Sequence, residues 1–170
     1  MGVGVSRLGD PILRAQCRPV SDPAGNQAVA VADKLKSTLY SVRGDLGFGR
    51  GIAAPQVGSD LQIVFVCIDE PLILINPQIE ERSPEMVELW DDCLSLPPLL
   101  VRVRRHRAIT VRYRDLAGRP VVLRAEDELS ELLQHEIDHL HGTLILDRAH
   151  GDNAIWLREE WERRARGHDG

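Results

Sequence analysis

Apolar residues recur at helical spacing in "NQAVAVADKLKSTLYSVRG" (Val31, Leu35, Leu39, Val42), which predicts an amphipathic helix ending at Gly44. Ahead of it, "GDPILRAQCRPV" reads as a short helix held between prolines. The texture then changes. "LQIVFVCID" and "LILINPQIE" are aliphatic and β-branched, punctuated by Pro71 and Pro77, as short strands would be. "VRVRRHRAITVRYRD" alternates apolar and basic residues, the mark of strands with one wet face. "LAG" turns into "RPVVLRA", so 111–123 reads as a hairpin. A second helix is expected over 127–141, acidic in its first turn and stopped by Gly142. A last amphipathic helix, about 153–166, carries Ile155, Trp156 and Trp161. This order predicts an α+β fold: mostly antiparallel sheets packed around the 127–141 helix, with a C-terminal helix. No repeat, low-complexity tract or long linker divides the chain, so residues 1–170 are expected to form a single domain.

Composition narrows the setting. A net charge of −5 gives no reason to expect DNA binding. Cys17, Cys67 and Cys93 are odd in number and widely spaced, unlike a disulfide framework, and suit a reducing compartment. The N-terminus lacks the apolar segment of a signal peptide, and no apolar run is long enough to span a bilayer. Gly2 and Ser6 fit the loose N-myristoylation pattern, but no polybasic patch accompanies them and lipidation is not expected. A cytoplasmic protein is expected, off the membrane.

Candidate chemistry lies in the 127–141 helix. "HEIDH" places His135 and His139 one turn apart with Glu136 beside them, the H-E-x-x-H pattern of metal hydrolases. A third ligand is required. The metzincin continuation fails, because Ile145 stands where its third histidine belongs. A thermolysin-like protease would take Glu159 or Glu160, but these lie in "WLREEWERRAR", which reads as charge pairing on a solvated face. Upstream, "WDDCLSLPP" offers Cys93, and Cys plus two His is a recognised catalytic set that leaves a fourth position open.

Together with "GRGIAAPQVG", the motifs "DDCLSLP" and "HEIDH" resemble the three signatures of the peptide deformylase family, in order and at similar spacing. The resemblance runs from about Gly9 to Arg148. It implies an α+β metal-dependent hydrolase that removes the formyl group from N-formylmethionyl peptides of nascent proteins. Ferrous iron is then the expected metal, with zinc or nickel as alternatives. Carried over residue by residue, Cys93, His135 and His139 would hold the metal and Glu136 would be the general base. The Gln56 side chain and the Leu94 backbone N–H would stabilise the oxyanion. Gly49, Gly51 and Leu132 would border the substrate, and Asp138 with Arg105 would form a supporting pair behind the ligands.

The chain also departs from the family pattern. Arg50 and Glu131 stand where that pattern is apolar and forms the methionine pocket, and Asp92 replaces a glycine that meets the substrate. Arg50 and Glu131 could pair and reshape the pocket, recognise a polar side chain, or line it only with their stems while their charges reach solvent. A deformylase-like amidohydrolase acting on another N-formyl compound is therefore an alternative. A non-catalytic ribosome- or RNA-binding module is another, because "RVRRHR" with Arg112 and Arg114 makes a basic stripe. Transient ribosome contact and a monomer or weak dimer complete the expectations.

Overall fold

"IVFV" is apolar at every position because both faces of its strand are covered. In the computed structural model, which describes residues 4–167, this run forms β2 (Ile63–Cys67). Ile63 and Phe65 join a cluster with Leu35 and Leu39 of α1 (Asn26–Leu46), while Val64 and Val66 join Leu133 and Ile137 of α2 (Asp127–Leu140). Strand β2 is second in a five-stranded antiparallel sheet. Its order is β1 (Gly51–Ala53), β2, β3 (Pro71–Arg82), β6 (Ala108–Arg114), β7 (Pro120–Glu126). A second antiparallel sheet runs β4 (Met86–Asp91), β5 (Leu99–His106), β8 (Ile155–Leu157). Helix α2 packs against β1, β2, β6 and β7 of one sheet and β5 of the other, and is buried along most of its length. The α+β fold and the 111–123 hairpin follow expectation, with Val111 opposite Leu123.

Four boundaries differ. Helix α1 runs past Gly44 because Leu46 still packs on the α1-side cluster; Gly47, at φ +75°, ends it. The "LILINPQIE" segment is one long strand, β3, rather than several short ones. A register shift between Ile75 and Gln78 absorbs the Asn76–Pro77 step. The C-terminal helix does not begin near 153. Residues 155–157 instead pair with the open edge of β5, Trp156 packs edge-on against Trp90 with centroids 6.0 Å apart, and α3 (Arg158–Gly167) follows. Of "GDPILRAQCRPV", only Pro11–Arg14 is helical, as a single 3-10 turn capped by Asp10. Gly2 lies outside the described residues. None of the described helices is long and apolar enough to cross a membrane.

Candidate metal centre

Helical spacing turns His135, Glu136 and His139 toward the space between the two sheets, and the turn after β4 brings Cys93 to meet them. Sγ of Cys93 and one ring nitrogen of each histidine lie within 4.8 Å of one another, all three residues buried. Glu159 and Glu160, at the start of α3, are not in this group. A thiolate and two imidazoles suit a divalent transition metal. Donors roughly 2.0–2.3 Å from one tetrahedral ion stand about 3.3–3.8 Å apart; Cys93 Sγ and His139 Nε2 are 3.4 Å apart. Beside them, Glu136 Oε2 is buried without a hydrogen-bond partner. The residues fit a metal and a water.

Charges behind the ligands are matched one by one. His135 Nδ1 lies 3.0 and 3.1 Å from the Asp91 carboxylate oxygens, leaving Nε2 for the ligand cluster. Arg105, as buried as Asp91, donates to Asp91 at 3.1 Å and to Asp138 at 2.6 Å. Arg148 completes the row with two bonds to Asp138. Burial alone would raise the Asp91 carboxyl, but His135 and Arg105 outweigh it and bring it down to about 2. Burial would likewise lower His135, and Asp91 overrides it, holding His135 well above its ordinary value. Burial, then the charge of His135, holds His139 well below its ordinary value. Burial also pushes Glu136 up to about 7.

Gln56 sits in the buried 3-10 turn after β1. Its Oε1 accepts the Ala53 N–H at 2.8 Å, and its Nε2 donates to Ser95 Oγ at 3.1 Å and faces Cys93 Sγ at 3.7 Å. Leu94 follows Cys93 in the same turn, its carbonyl accepting from Arg7 at 2.6 Å. Gly51 owes its identity to Glu136: a Cβ there would come within 2.5 Å of Oε1. Gly49 has φ +124°, open to glycine and strained for other residues.

A narrow cleft of ~20 Å³ opens beside this group, bordered by Gly49, Arg50, Asp92, Leu94 and Leu132. Arg50 and Glu131 do pair, at 2.6 Å, and Glu128 joins Arg50 from the solvent side at 3.0 Å. Asp92 turns to Arg158 at 2.9 Å, and the Arg158 guanidinium lies over the Phe48 ring, 4.0 Å from its centroid. Sequence reading missed Asp91, Ser95 and Glu128. Strand alternation could have found Asp91, two residues before Cys93. Helix periodicity could have found Glu128, which shares a face with Glu131 and His135. Ser95 left no separate signal.

Fold and site together define an α+β metal-dependent hydrolase. The polypeptide deformylase family profile matches residues 4–154. Peptide deformylase 2 of Gloeobacter violaceus is 37% identical over 159 residues, covering 90% of this chain and 82% of that protein. The peptide deformylase of Dictyoglomus thermophilum is 39% identical over 148 residues, covering 85% and 91%. Among solved structures, that of the Thermotoga maritima peptide deformylase superposes with a TM-score of 0.82 at 32% identity, covering 89% of this chain and 99% of that one. A peptide deformylase from Synechococcus elongatus in complex with actinonin gives 0.82 at 33% identity, covering 96% and 86%. The chain belongs to the polypeptide deformylase family.

Proposed function

We propose that this chain removes the formyl group from N-formylmethionyl peptides of nascent proteins, with Cys93, His135 and His139 holding one divalent metal and Glu136 moving the proton. The convergence of those three donors beside the unpartnered Glu136 carboxylate carries the reading. A metal bound there supplies Lewis acidity and lowers the pKa of water toward about 7. Glu136 takes a proton from the attacking water and returns it to the leaving amine. The water oxygen bonds to the formyl carbon, the C–N bond breaks, and formate and a free α-amine leave. As negative charge gathers on the formyl oxygen, Gln56 Nε2 and the Leu94 N–H donate to it; one such donor is worth roughly 3–4 kcal/mol. Asp91 fixes the tautomer and tilt of His135, and Arg105, itself anchored by Asp138, holds Asp91 in turn.

Ferrous iron is the proposed native metal, with nickel and zinc as alternatives that the same donors accept. A cytoplasmic location suits free thiols at Cys17, Cys67 and Cys93. Ribosome contact through the basic stripe has less support, because Arg102, Arg107 and Arg112 each face a carboxylate. The test is anaerobic loading with ferrous, nickel or zinc ions, followed by formate release from formyl-Met-Ala-Ser. Formate release that requires the metal is expected. A fully metallated protein that frees no formate from any formyl peptide would overturn the assignment.

A further inference from the structure

We infer that Arg50, clamped by Glu128 and Glu131, determines specificity, and that the cleft favours N-formyl peptides whose first side chain ends in a neutral hydrogen-bond acceptor, an amide or a sulfoxide. The inference rests on the deformylating reading above and concerns what that site selects. An N-formyl residue with its formyl carbon at Cys93, His135 and His139 must place its own side chain within a few ångströms, where the narrow cleft meets the larger outer groove and Arg50 borders both. Leu94 and Leu132 are the apolar part of those walls; Arg50 is their fixed cation.

The clamp leaves donors to spare. Nη2 of Arg50 bonds Glu131 and Nη1 bonds Glu128, whereas a guanidinium carries five N–H donors. The Arg50 side chain is 36% exposed and borders both the cleft and an outer groove shared with Phe48, Trp90 and Glu128. Glu131 is 8% exposed, and its Oε2 has no partner, so its carboxylate depends on Arg50 for charge compensation. Four kinds of side chain can be compared at such a wall. A carboxylate would add a third anion to a trio that already holds two against one cation, while Asp92 across the cleft is taken up by Arg158. A cationic side chain would meet the guanidinium head-on. An alkyl end would strip water from the guanidinium and return no hydrogen bond. A neutral amide or sulfoxide oxygen accepts from the spare N–H groups at no cost in charge. Formyl-methionine, whose sulfur is a weak acceptor, remains a substrate and ranks below these two.

The experiment compares kcat/KM of the metal-loaded full chain on formyl-Gln-Ala-Ser, formyl-(methionine sulfoxide)-Ala-Ser and formyl-norleucine-Ala-Ser. The two polar peptides should exceed norleucine by about tenfold, equivalent to about 1.4 kcal/mol. Joint replacement of the pair, Arg50→Ile with Glu131→Ile, should reverse the order; Arg50→Lys should keep part of it. A wild-type preference for norleucine overturns the inference while leaving deformylation intact, and this arm stands even if the double variant does not fold. Failure of wild type and variants alike to cleave any formyl peptide, with metal bound, overturns the deformylating reading itself and this inference with it.

Discussion

Two ends of one site handle charge in opposite ways. Behind the group of Cys93, His135 and His139, Asp91, Arg105 and the half-buried Asp138 form a row in which each charge has a fixed partner and Asp91 aims the His135 ring. At the cleft, Arg50 is shared between a buried and a solvent-facing carboxylate, and Asp92 is drawn off to Arg158 on α3. The first arrangement orients; removing one member leaves its partners under-compensated in low dielectric. The second keeps a partly exposed cation at the border of the cleft and the outer groove. The family match extends through residue 154, so Arg158 falls beyond it. On the proposed reading, the difference teaches that the chemistry is set by closed networks, and the selection by half-open ones.

The comparison breaks most severely at Glu136. Glu136→Gln should retain bound metal and lower kcat by roughly 10²–10⁴-fold, the usual contribution of a proton-moving side chain, checked by metal analysis beside steady-state kinetics. Asp91→Ala should come next. It leaves Arg105 buried with only Asp138, which should cost about 3 kcal/mol and weaken metal binding roughly 10–100-fold, read by thermal unfolding and competitive chelation. Arg158→Ala, which frees Asp92 and Phe48 at the cleft mouth, should lower stability by about 1 kcal/mol; calorimetry would resolve this as roughly 2–4 °C in Tm.

A pH effect away from the site is smaller still. Burial, reinforced by Asp60, pushes the Cys17 thiol from 9.0 up to about 11. The folded state therefore favours the neutral thiol. Its contribution is complete below pH 9 and is lost as pH rises toward 11, so denaturant titrations should show a decline across that window that Cys17→Ala flattens. Least of all, Arg112→Ala, which removes a half-exposed pair with Glu80, should change stability by no more than about 1 kcal/mol.

The two ends also differ in how far the sequence disclosed them. His135, Glu136 and His139 were grouped because one helix fixes their spacing, and the structure brings Cys93, singled out by its compact motif, to the two histidines. Arg105 beside Asp138 was expected and is found. Asp91 and Glu128 had local signals, strand alternation and a shared helix face, but their partners are fixed only where β4 meets α2 and where Arg50 meets that helix. The fold shows the same division. Helix α2 and the β6–β7 hairpin were readable from local periodicity and turn chemistry. Strand β8 was not: Ile155, Trp156 and Leu157 fit an amphipathic helix in isolation, and the open edge of β5 decides otherwise.

The most direct test of the proposed ligand set is the absorption spectrum of the cobalt-substituted protein. Binding of one cobalt per chain should produce a thiolate-to-metal charge-transfer band that Cys93→Ser abolishes and that Cys17→Ala and Cys67→Ala leave in place. A band that survives Cys93→Ser would contradict the account, because the metal would then lie on a different thiol and the geometry built on His135, His139 and Glu136 would not be the working site.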